Sequence, residues 1–140
     1  MDLLRGGFYI IIFLLSAASL MAQIEVKIND TTISRGIDHR IPVYADLSGT
    51  GADRVEIGLR YSALLLHMKT ARGGDNYLFR CDPPAVNFSN TPPEKSEMAV
   101  WCVDVNNSDG VLFDIVAEGL AGPDSVTVVA VEYIKIDGET

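Results

Sequence analysis

The chain has 140 residues, with 11 Lys and Arg against 19 Asp and Glu, a formal charge of −8. A length of this order holds one domain. The acidic balance argues against nucleic acid, whose phosphates require basic side chains that release counterions, and against an anionic membrane surface. A hydrophobic content of 48% is enough for a core and argues against disorder.

The N-terminus reads as a secretory leader. Arg5 precedes the apolar run 8–15 (FYIIIFLL), and small residues follow at Ser16, Ala17, Ala18 and Ser19. Positive, apolar and small-residue zones in that order mark an export signal. Cleavage is expected after Ala22, with Ser19 as the second choice. The apolar run is short for the roughly 20 residues of a membrane span. The expected organisation is therefore a leader at 1–22 and one domain at 23–140, secreted or at the cell surface. No membrane attachment is expected once the leader is gone. Export also changes how Cys81 and Cys102 read. With twenty residues between them, they are better explained as a disulfide in an oxidising compartment than as a metal pair. Two separate buried thiols are the alternative.

From Gln23 onward, apolar residues alternate with polar ones and the pattern breaks at Gly, Pro, Asn and Asp. Nine strands are predicted, at 24–29, 40–47, 54–61, 64–70, 77–81, 85–90, 98–103, 111–118 and 125–136. The segment 54–61 (RVEIGLRY) alternates most cleanly. It points Val55, Ile57, Leu59 and Tyr61 inward and Arg54, Glu56, Gly58 and Arg60 outward. Pro42 in the second strand suggests an edge or a strand start. Short strands with a turn signal every 8–12 residues or so argue for an all-β sandwich. No helical period with caps is found.

Catalytic chemistry has no foothold. His39 and His67 stand far apart, without a metal-binding partner at hairpin or helical spacing. Nucleophile-elbow, zinc-protease and phosphate-loop patterns are absent. Gly73 and Gly74 read as turn glycines. The loop 104–110 (DVNNSDG) places oxygen-bearing side chains at the first calcium-loop positions. Asp109 stands where that loop needs Gly, however, and Ile115 where it needs Glu. A polar turn is the better reading. Neither a catalytic residue, a metal nor a cofactor is expected, so the chain does not read as an enzyme.

Three blocks carry a family resemblance. Residues 37–47 (IDHRIPVYADL), 54–68 (RVEIGLRYSALLLHM) and 98–118 (MAVWCVDVNNSDGVLFDIVAE) follow one another in the order and spacing of a cohesin module. The middle block is similar to the family's strand ending in Leu-x-Tyr, although Ser62-Ala63 replaces its usual Asp-Pro. The resemblance spans about 24–137 and implies a nine-stranded jelly-roll β-sandwich. It also implies a non-catalytic interaction module, working in a polysaccharide-degrading or cell-surface setting, with a dockerin-like protein as partner. Transferred onto this chain, the partner-binding positions are Arg54, Glu56 and Arg60.

A carbohydrate-binding module, with polysaccharide as partner, is the second reading. It calls for coplanar exposed aromatics. The single tryptophan, Trp101, lies in the apolar run MAVWCV and is expected in the core. A platform would then need Tyr44, Tyr77 or Tyr133.

Overall fold

Alternating apolar side chains build two β-sheets that close face to face on a common core. The computed structural model describes residues 7–11, 13–14, 24–122 and 125–138. Its strands are β1 (Gly7–Ile11), β2 (Phe13–Leu14), β3 (Glu25–Lys27), β4 (Thr31–Thr32), β5 (Asp38–Asp46), β6 (Arg54–Tyr61), β7 (Leu66–Arg72), β8 (Ala85–Ser89), β9 (Ser96–Val103), β10 (Asp109–Gly119) and β11 (Thr127–Ile136). One 3₁₀ turn, Pro93–Lys95, precedes β9. The first sheet has the order β4-β1-β11-β6-β9-β8 and the second β2-β3-β5-β10-β7. This is the expected all-β sandwich, with nine strands between Ile24 and Gly138.

The apolar run near the N-terminus enters both sheets. β1 lies parallel to β11, with Phe8 opposite Thr127 and Ile11 opposite Ala130. β2 pairs with β3, with Phe13 opposite Val26. The cleavage point expected after Ala22 lies outside the described residues. Among those residues, no helix is long and apolar enough to cross a membrane.

The core follows the period-two pattern. Val55, Ile57 and Leu59 of β6 are fully buried, as are Val100 of β9 and Phe113 and Ile115 of β10. The rings of Phe79 and Phe113 meet with centroids 5.1 Å apart. Pro42 lies within β5 opposite Asp114 of β10. On its other flank β5 pairs with β3 only at Tyr44 and Ala45, so Pro42 needs no donor there and the strand tolerates it.

One predicted strand is absent. Residues 77–81 form an irregular loop, although Leu78 and Phe79 are buried. The amides of Leu78 and Phe79 donate to the carbonyls of Val111 and Leu112 at 2.8 and 2.9 Å. The segment thus borrows hydrogen bonds from β10 without building a ladder, and its apolar residues are a loop plug. A disulfide joins Cys81 in this loop to Cys102 in β9, with Cα atoms 5.9 Å apart.

Gly73 is not simply a turn residue. It is buried, and a Cβ built there would run into the backbone carbonyl oxygens of Phe79 and Cys81. The close approach of the loop to the end of β7, rather than a special φ, demands glycine. Gly74 does take the expected positive φ, +133°.

The polar turn between β9 and β10 clasps its neighbour. Asn107 Oδ1 accepts from the Ala52 amide at 2.9 Å and the Thr50 hydroxyl at 2.7 Å, and Asn107 Nδ2 donates to the Ala52 carbonyl at 2.9 Å. The Asn107 side chain is thus spent on holding the segment that leads into β6.

Candidate functional site

The outer side of the first sheet is a grid set by strand register. One row across β8, β9, β6 and β11 reads Ala85, Trp101, Glu56, Lys135; the next reads Asn87, Ala99, Gly58, Tyr133; the third reads Ser89, Glu97, Arg60, Ala130. Arg54 extends the grid opposite Val103. The sequence-predicted positions Arg54, Glu56 and Arg60 therefore share one face, as the alternation of β6 dictates.

A bulge adds to that face. The pairing of β11 with β6 shifts between Val131 and Tyr133. Val129 and Val131 point inward before it, and Ile134 and Ile136 after it. Two consecutive residues, Glu132 and Tyr133, are thereby presented outward.

The face is knitted together by polar contacts. Arg54 Nη2 lies 3.5 Å from Glu56 Oε1, and its guanidinium carbon sits 5.9 Å from the centre of the Trp101 ring. Such a cation–π contact holds both groups at a partly exposed site. The Tyr133 hydroxyl donates to Glu56 Oε2 at 2.7 Å, and Lys135 Nζ lies 5.2 Å from the Tyr133 ring centre. Arg60 Nη2 donates to Glu97 Oε1 at 2.9 Å and also pairs with Glu132. Among the described residues, the buried Arg60 Nε finds no hydrogen-bond partner. At the end of the sheet, Asp137 Oδ1 accepts from the amides of Asp53 and Arg54, both at 2.8 Å. Those two donors hold its carboxyl below the usual carboxylate range, and they fix the start of β6 where Arg54 emerges.

Gly58 explains how Tyr133 lies. A Cβ at residue 58 would overlap the Tyr133 ring, so glycine lets the ring rest on the strand. Burial, reinforced by the hydrogen bond to Glu56, pushes the Tyr133 phenol up to about 12. Because the folded value lies above the ordinary 10.0, the stabilisation from this protonated phenol is complete below that ordinary value. It is lost as pH rises through the folded one. Tyr133→Phe is expected to remove one phenolate step close to 12 from an alkaline absorbance titration. Loss of a step near the ordinary 10.0 instead would show that the Tyr133 phenol is not raised by its surroundings.

Trp101 corrects one expectation. It is partly exposed on this outer face, while its neighbours Val100 and Cys102 are buried. The period-two rule in β9 carried that signal, but the unbroken apolar composition of MAVWCV hid it. Tyr133, named beforehand only as a platform aromatic, joins the site, and so do Glu97 and Glu132, which were not singled out.

The other candidate aromatics sit elsewhere. Tyr44 belongs to β5 in the second sheet, and the Tyr77 hydroxyl donates to Asp114 Oδ2 in β10 at 2.7 Å. Neither can complete one flat platform with Trp101. His67 Nδ1 lies 3.7 Å from Glu118, and His39 Nε2 accepts from the Ser34 amide at 2.9 Å. Among the described residues, no group of three or more His, Cys, Asp or Glu could hold a metal ion.

Compared as a sequence, the chain matches no protein-family profile and no curated protein. Compared as a structure, it is similar to a type I cohesin from Clostridium thermocellum solved in a cohesin–dockerin complex. That match has a TM-score of 0.55 and 16% identity, over 77% of this chain and 97% of the other. Two further cohesins match with TM-scores of 0.43. One is the sixth cohesin of Acetivibrio cellulolyticus scaffoldin B in complex with a dockerin, at 11% identity over 69% of this chain and 89% of the other. The other is a non-cellulosomal cohesin from the archaeon Archaeoglobus fulgidus, at 12% identity over 71% of this chain and 83% of the other. The fold is cohesin-like.

Proposed function

We propose that this chain is a non-catalytic interaction module that binds a dockerin-like protein through the outer face of its first sheet. The observation that carries the reading is the cluster of Trp101, Arg54, Glu56 and Tyr133, exposed or partly exposed on paired strands. Trp, Tyr and Arg dominate the binding energy of protein interfaces because they combine apolar area with a polar tip. The cohesin-like fold supports the same choice of partner. The protein works outside the cytoplasm, with residues 1–22 removed on export, and the disulfide between Cys81 and Cys102 suits that compartment.

Affinity capture tests the reading. The immobilised, disulfide-intact protein is exposed to the secreted proteins of its source with calcium present. A retained protein carrying a duplicated calcium-loop segment is the expected result. Trp101→Ala should weaken that partner by about 30-fold, corresponding to roughly 2 kcal/mol for a hot-spot aromatic. Val116→Thr, on the opposite sheet, should leave it unchanged. Equal retention by wild type and Trp101→Ala would remove this face from the interface.

A further inference from the structure

We propose that the same sheet carries a separate subsite for one sugar ring, in the depression over Ala99 beside the ring of Tyr133. That ring rests on Gly58, and the small Ala99 stands next to Gly58 in the middle row, opposite Asn87. Taller side chains on either side turn that low centre into a pocket of about 160 Å³, walled by Asn87, Ser89, Glu97, Glu132 and Tyr133. That is room for a single pyranose and too little for a chain lying flat.

The wall chemistry suits a polyhydroxyl ligand rich in hydrogen-bond donors. Glu97 and Glu132 face the pocket, and Arg60 pairs with both, so one of their two negative charges is met from within the protein. What they offer a ligand is remaining lone pairs, in orientations the guanidinium fixes. Asn87 adds an amide that both donates and accepts, and Ser89 adds a hydroxyl that does the same. Fixed acceptors opposite mixed donor–acceptor groups suit adjacent sugar hydroxyls, each of which gives one hydrogen bond and receives another. Arg60 is a positioning residue in this arrangement. The Tyr133 ring supplies the apolar edge.

This subsite shares Tyr133 with the partner-binding cluster, but its β8 wall of Asn87 and Ser89 takes no part in that cluster, so the two readings can be tested apart. The test is an NMR titration of the full, isotope-labelled chain with methyl glucoside, methyl galactoside, methyl mannoside and N-acetylglucosamine. N-acetyl-lysine methylamide serves as the cationic control. At least one sugar should give saturable shifts at the amides of Gly58, Asn87 and Ala99, with affinity on the order of millimolar. Asn87→Ala and Ser89→Ala should each weaken it about tenfold, and Trp101→Ala should not. No saturable shift with any of the four sugars would overturn the proposal. So would a response to the lysine derivative alone, which would make this a cation pocket, or sugar binding untouched by both variants. Capture of a partner that fails in the Trp101→Ala experiment leaves this outcome independent.

Discussion

Gly73→Ala is expected to destabilise the protein by about 3 kcal/mol, the upper part of the range for overpacking a well-filled interior. The new methyl would meet backbone carbonyls of Phe79 and Cys81, and neither has room to retreat. Phe79 is fully buried against Phe113; its amide donates to Leu112 and its carbonyl accepts from Gly74 at 3.0 Å. Cys81 is tethered to β9 by the disulfide. A side chain could turn aside, whereas a doubly bonded backbone cannot. Gly122→Ala is the matched control, since nothing among the described residues lies within 4 Å of its Cβ position, and it should stay within about 0.5 kcal/mol of wild type. Urea unfolding of both variants reads the difference as a shift in midpoint at constant slope. A Gly73→Ala midpoint equal to wild type would mean that the loop backbone gives way freely.

Replacing Cys81 and Cys102 together by alanine is expected to cost about 3 kcal/mol, from the chain entropy regained when a loop of this length is opened in the unfolded state. The two positions are 21 apart in sequence. The same bond anchors the irregular segment that plugs the core, so the loss should be felt locally as well. Amide exchange of Leu78 and Phe79, whose hydrogen bonds reach across to β10, should accelerate before that of β6. The two predictions interact. With the loop released, Cys81 can move away from residue 73, so Gly73→Ala should cost less in the cysteine-free background than in the bonded one. A double-mutant cycle measures that coupling; strict additivity would separate the disulfide from the fit at Gly73.

Much of the sandwich was legible in the chain because its strands obey one rule at a time. In β6, alternation runs unbroken, so the buried set and the outward row of Arg54, Glu56, Gly58 and Arg60 could be read directly. The cysteine pair was legible once an oxidising compartment was expected, and the bond between Cys81 and Cys102 is present. What escaped depended on distant chain. The segment around Leu78 and Phe79 is apolar like a strand, but its hydrogen bonds are taken from β10, and no local pattern distinguishes a plug from a ladder. Gly73 needs its bare Cα because residues six and eight positions later pass over it. Trp101 was legible in phase and obscured by composition. Tyr133 reached the site through a shift of register that only pairing with β6 reveals.

That shift divides β11 into two half-strands of opposite parity. Up to Val131 the core residues carry odd numbers, and from Ile134 onward they carry even ones. Dropping one residue at the offset would join the halves into one regular strand, with Val129, Val131, Ile134 and Ile136 still facing inward. Straightening the strand at its present length would instead turn Lys135 toward the core and Ile134 toward solvent. The irregularity is therefore a phase correction between two segments, each matched to its own stretch of β6. Its product is one additional outward side chain, so the consecutive pair Glu132 and Tyr133 exists only as long as the offset does.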